Sequence, residues 1–152
     1  MRLTTYSDYA MRVMIYLGLP RNELSTIAGI AKAYDISENH LTKVVHQLAK
    51  RGFIETVRGK NGGMRLARRP AEINMGEVLR FTEGESGLLP CVDGQGSCCI
   101  GGVCNLIDVL RDAQNAMFKV MDKHTLADVL RKRRQPLAEI LIHPHAKKSA
   151  RG

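Results

Sequence analysis

Tryptophan is absent from this 152-residue chain, and aromatic residues make up only 5% of it. Its hydrophobic share of 44% must therefore build an aliphatic, methionine-rich core. That suffices for one domain, or for a small domain with an attached helix and tail. No apolar run reaches the ~18 residues that a membrane span requires, so no membrane partner is expected. The opening stretch MRLTTYSDYAMRVMIYLG interleaves Asp8 and Arg12 with its apolar residues. It lacks the apolar core and small-residue cleavage site of a secretory signal, and a cytoplasmic chain is expected. No Ser/His/Asp or Cys/His constellation is evident, which speaks against an enzyme. Cysteine is missing everywhere except in one segment, CVDGQGSCCIGGVC at 91–104, which holds Cys91, Cys98, Cys99 and Cys104.

The charge is unevenly spread. Residues 1–70 carry twelve Lys/Arg against five Asp/Glu, a balance of +7. Residues 71–130 stand at −5 and residues 131–152 at +6. A basic N-terminal half points to a polyanion, most simply nucleic acid.

Hydrophobic periodicity predicts a first helix from about Ser7 to Leu19, with Ala10, Val13, Met14 and Leu17 inward and Thr5 or Ser7 as its cap. Ser25 is expected to cap a short second helix carrying Ile27, Ile30 and Ala31, and Ser37 a third carrying Leu41, Val44, Val45 and Leu48. Gly52 suits the left-handed position that ends it. Two short helices around the break YDIS make a helix-turn-helix. The outward face of its second helix carries Asn39, His40, Lys43, His46 and Gln47, donors for phosphates and base edges. FIETVRGKNGGMRLARRP then alternates as strand, tight turn and strand. Its tip brings Arg58 and Lys60 together with glycines, as a DNA-contacting wing does.

A short helix after Pro70 has Asn74 and Glu77 at capping-box spacing. The glycine-rich cysteine segment follows, with no helix or strand pattern. Beyond it, Leu106, Leu110, Ala113, Met117 and Val120 form a heptad stripe. A winged helix that reads two half-sites needs a two-fold partner, so the stripe is expected to pair with a second copy. The expected fold is mainly α with a small β-hairpin wing. It divides into a winged helix-turn-helix domain (1–83), a cysteine loop (84–104), a dimerisation helix with a following segment (105–130) and a basic, unstructured tail (131–152).

The cysteines leave several chemistries open. Disulfides are disfavoured in a cytoplasmic chain. Zinc prefers paired Cys knuckles, and adjacent Cys98 and Cys99 supply four tetrahedral ligands poorly. An iron–sulfur cluster is less demanding and takes thiolates from a pliable loop. Cys91, Cys98 and Cys104 are well spaced for that, and Cys104 is expected to open the long helix, whose positive end favours a thiolate.

The stretches LTTYSDYAMRVMIYLG and HLTKVVHQLAKRGFIETVRGKNGGMRLA, the cysteine loop and TLADVL at 125–130 together resemble the Rrf-type family of bacterial iron–sulfur winged-helix regulators. The likeness covers about residues 1–130 and is nearest the nitric-oxide-sensing NsrR branch, with IscR and RirA as relatives. It implies a homodimer whose long helices cross and a repressor that holds operator DNA while its cluster is intact. Nitric oxide, attacking the cluster, would release double-stranded operator DNA. The implied ligands are Cys91, Cys98 and Cys104, with the partner subunit's Asp8 as the fourth. The cluster is expected as 4Fe-4S, with 2Fe-2S the alternative. The IscR branch has a His where this chain has Ile107, and RirA-like chains have an amide at the Asp8 position. Cys99 departs from the family pattern and is an alternative to Cys98. The same matching assigns DNA contact to Ser37, Asn39, His40, Lys43, Arg58 and Lys60. Competing expectations are an iron- or redox-responsive regulator of the same family, a zinc-stabilised DNA-binding protein and an iron–sulfur electron carrier.

Overall fold

Thr4 starts the first helix. In the computed structural model, which describes residues 2–84, 87–92, 94, 96 and 98–142, α1 spans Thr5–Gly18 and the Thr4 hydroxyl accepts the Ser7 N–H at 3.1 Å. Of the two expected caps, Thr5 is the first helical residue, and Ser7 is fully buried with its hydroxyl engaged elsewhere. It donates to Thr82 Oγ1 at 2.7 Å and contacts the Glu83 carboxylate. That carboxylate also accepts the Thr4 N–H at 2.9 Å, so the N-terminus of α1 is capped from the far end of another helix.

The helix-turn-helix follows as α2 (Ile27–Tyr34) and α3 (Glu38–Lys50). Thr26, not Ser25, caps α2, accepting the Gly29 N–H at 3.1 Å. Ser25 instead exchanges backbone hydrogen bonds with Met64, 3.0 and 2.7 Å. Asp35 ends α2 in the left-handed region at φ 54°, a conformation its short polar side chain tolerates. Ser37 occupies the N-cap position of α3 but makes no side-chain cap bond. Leu41, Val44, Val45 and Leu48 face the core. Gly52, at φ 78°, turns the chain into the hairpin. Strands β1 (Ile54–Val57) and β2 (Gly63–Leu66) pair antiparallel, with Ile54 opposite Leu66 and Val57 opposite Gly63.

A 3₁₀ turn at Pro70–Glu72 leads into α4 (Met75–Glu83), where the Asn74 side chain accepts the Glu77 N–H at 3.0 Å. The described residues of the cysteine loop contain turns and one short 3₁₀ segment, Gly101–Val103. Then come α5 (Leu106–Met121), α6 (Leu126–Arg131) and α7 (Arg134–Leu141).

The core gathers around α1, whose Ala10, Val13 and Met14 are completely buried. α3, α4 and α6 all pack on this helix. The contact with α6 is so close that a Cβ on Gly18 would lie 2.6 Å from Leu130 Cδ1. α6, in the segment expected to follow the dimerisation helix, buries Leu126 and Leu130 in the core around α1. The expected unstructured tail changes in its first part. α7 lays Leu141 into the same core, with Leu137, Ala138 and Ile142 against it. Apolar spacing outweighs the charges of RKRR there. Residues 143–152 lie outside the described residues.

α4 and α5 are clamped at one end. Asp122, just past α5, forms a two-pronged ion pair with Arg80 at 2.6 and 2.7 Å, and Asn74 Nδ2 donates to the Asp122 carbonyl at 2.7 Å. Arg80 also lies over the Phe118 ring, 4.7 Å from its centroid. No helix among the described residues is long and apolar enough to cross a membrane.

Candidate DNA interface and cysteine loop

The inward residues of α3 are fixed by the core, so its other face has to be presented outward. Ser37, Asn39, His40 and Lys43 are all exposed along it. Arg58 and Lys60 are exposed at the hairpin tip, where Gly59 takes φ 118°. The Ser25–Met64 bridge ties the hairpin to the segment leading into α2, and α3 packs on β1. The six residues expected to meet DNA thus stand exposed on α3 with its N-cap and on the hairpin tip. Tyr9 of α1 backs His40, with ring centroids 6.3 Å apart. Its part in holding the recognition face is a tertiary contact that helix periodicity did not reveal.

Asp8 lies in the first turn of α1, where a carboxylate complements the helix dipole. It accepts a hydrogen bond from Arg12 Nε at 2.9 Å, and both side chains are partly exposed. This pair raises the Arg12 guanidinium further above its ordinary value. Arg12 also faces Tyr34, 5.6 Å from the ring centroid. Burial pushes the Tyr34 phenol up to about 12, which the facing cation partly offsets. The i,i+4 spacing of Asp8 and Arg12 could have revealed this pair in the sequence.

All four cysteines are free thiols. Cys91 and Cys104 are half-buried, whereas Cys98 and Cys99 are exposed. Among the described residues, no three His, Cys, Asp or Glu side chains gather closely enough to hold a metal ion. The expected ligands Cys91, Cys98, Cys104 and Asp8 are therefore not brought together within one chain. The donor chemistry does fit an iron–sulfur cluster, because four reduced thiols are concentrated on one glycine-rich loop. Two further residues shape that loop. Gly96 folds back onto the Cys91 backbone, and Arg111 of α5 reaches the Val92 carbonyl. Neither carries a sequence signature, because both act on the backbone of another segment.

Comparison with known proteins places these features. The family model Rrf2, described as an iron-dependent transcriptional regulator, matches residues 3–132. The HTH-type transcriptional regulator NsrR of Geobacillus kaustophilus is 48% identical over 135 residues, 88% of this chain and 92% of the relative. Its Bacillus subtilis namesake is 46% identical over 133 residues, 86% of this chain and 91% of that one. Among solved structures, T. potens IscR superposes with a TM-score of 0.65 at 26% identity, covering 86% of this chain and 87% of that chain. These likenesses are to regulators rather than enzymes, and the family match runs from before α1 through α6. The chain belongs to the Rrf2 family of winged-helix transcriptional regulators.

Proposed function

We propose that the chain is a homodimeric, DNA-binding repressor whose cysteine loop holds an iron–sulfur cluster that reports nitric oxide. The observation that carries this reading is the joining of two unlike features in one small fold. An exposed basic helix and wing stand at one end of the chain, and a loop with four free thiols hangs between α4 and α5. Cys91, Cys98 and Cys104 would hold the cluster, with Cys99 able to replace Cys98. The partner subunit's Asp8 would be the fourth ligand, a carboxylate of which one oxygen accepts from Arg12. When bound, the cluster supplies an iron centre that nitric oxide attacks.

The chain's own residues do the rest. Asn39, His40 and Lys43 enter the major groove, Ser37 meets a phosphate near the start of α3, and Arg58 and Lys60 follow the adjoining groove. Glu83 joins the last turn of α4, where the cysteine loop begins, to the start of α1. Tyr9 joins α1 to His40. A change in the loop thus has a continuous packed route to the recognition helix. Arg58→Ala is expected to weaken binding to a specific duplex by about 1–3 kcal/mol at fixed salt, as measured by fluorescence anisotropy.

The direct test uses full-length protein purified without oxygen. Its visible absorbance and native mass report the cluster, and a duplex selected from random sequence reports DNA binding. Cluster loss that tracks DNA release during nitric oxide titration supports the reading. A colourless protein containing zinc, or DNA binding indifferent to nitric oxide, overturns it. The iron-dependent character of the family favours one second reading, in which the cluster reports iron supply. That reading predicts DNA release on iron chelation and none with nitric oxide.

A further inference from the structure

Cys91 sits at a corner of the loop that is held from two sides. On one side the chain folds back so closely that a Cβ on Gly96 would lie 3.0 Å from the Cys91 nitrogen and 3.2 Å from its Cα. Both contacts are to backbone, so no side chain can swing aside to relieve them, and glycine alone fits without moving the corner. On the other side stands Arg111, in the second turn of α5. Its Nη1 donates to Asp108 at 2.8 Å, which aims the guanidinium. Its Nη2 then points at the Val92 carbonyl, 3.5 Å away. That distance is long for a hydrogen bond, so Arg111 acts here mainly through its charge on the carbonyl dipole. The Val92 N–H donates to the Leu89 carbonyl at 2.9 Å and closes the turn that carries Cys91. Cys91 is half-buried in consequence, while Cys98 and Cys99 are exposed.

We propose that Gly96 and Arg111 are positioning residues for Cys91, fixing one anchor of the loop against α5. The proposal rests on the cluster reading given above. Gly96 acts by shape alone. Arg111 acts by geometry and by charge: a cluster held by several thiolates carries excess negative charge, and a nearby guanidinium stabilises its more reduced, more negative state. Replacing Arg111 by Gln therefore lowers the reduction potential. Lys keeps the charge but loses the planar fork that Asp108 orients.

The experiment compares full-length wild-type protein with Arg111→Gln, Arg111→Lys and Gly96→Ala. In cluster-loaded protein, the midpoint potential and the rate of bleaching by an iron chelator are measured. In cluster-free protein, the alkylation rates of Cys91 and Cys98 by iodoacetamide are followed by mass spectrometry. Arg111→Gln is expected to shift the potential downward and to bleach severalfold faster. Arg111→Lys should restore the potential, and Gly96→Ala should bleach faster at unchanged potential. Without a cluster, Cys91 of the wild type should react severalfold more slowly than Cys98, and Arg111→Gln or Gly96→Ala should narrow that gap. Arg111→Gln with wild-type potential and bleaching overturns the proposal. If the wild type takes up no cluster, the cluster reading fails, and equal Cys91 alkylation in all four proteins then overturns the corner as well.

Discussion

A single methyl group at position 76 decides whether α4 and α5 can be clamped. A Cβ there would lie 1.9 Å from Asp122 Oδ1 and 3.0 Å from the Asp122 nitrogen. The carboxylate can swing away, but only by leaving Arg80, and the backbone contact remains. Gly76→Ala is therefore expected to cost about 1–3 kcal/mol, the usual range for overpacking, readable from urea unfolding. The Arg80 guanidinium holds the Asp122 carboxyl below the usual carboxylate range. A carboxyl depressed in the folded state adds stability above its unfolded pKa and loses it as the pH falls through the folded one. Asp122→Asn should thus melt below the wild type at pH 7, and the gap should close as the pH falls below about 4. The sequence shows the Asn74–Glu77 cap because its two halves are three residues apart. It hides the need for Gly76, because the partner of that residue lies across the domain.

At the scale of elements, the helix-turn-helix and hairpin were legible because each is specified locally. Apolar periodicity, a left-handed glycine and a glycine-rich turn settle them without reference to the rest of the chain. Helix ends were less legible. Ser7 and Ser25 both have capping chemistry, and tertiary bonds took both away. The stripe on α5 was legible as a buried face, but a single chain covers little of it. Only Phe118 of this helix is buried, while Leu106, Val109 and Val120 are 55%, 61% and 55% exposed. Val103, just before the helix, is 83% exposed. In the homodimer proposed above, a second copy would cover this apolar face. A Leu106→Asp, Val109→Asp double variant should sediment as a folded monomer. A dimer of unchanged affinity would show that α5 is not the contact.

At the scale of the whole molecule, charge partition pointed to the basic N-terminal half but misread the C-terminal one. RKRR suggested a solvated tail, yet the apolar residues of α7 bring it back to the core. The family match ends at residue 132, so α7 adds cover that the family model does not include. Leu141→Ala should cost about 2–5 kcal/mol, the range for emptying a buried leucine site. A cost near zero in chemical denaturation would show that α7 is dispensable. Candidate metal ligands can be nominated from the sequence by type and spacing alone. Their assembly was not legible, since no three such side chains gather among the described residues.

The bridge between Ser25 and Met64 has a further consequence. It fastens the hairpin to the segment that leads into α2, and Gly63 is pressed so closely on the Ser25 carbonyl that a Cβ would lie 2.6 Å from it. The bridge thereby limits how far the wing can swing relative to the helix-turn-helix, like one jaw of a caliper held against its frame. Neighbouring grooves of a duplex must present themselves within that range, and where they do not, the duplex has to bend or narrow to meet it. Sequence preference can then arise at base pairs that no side chain touches, because some steps deform more easily than others.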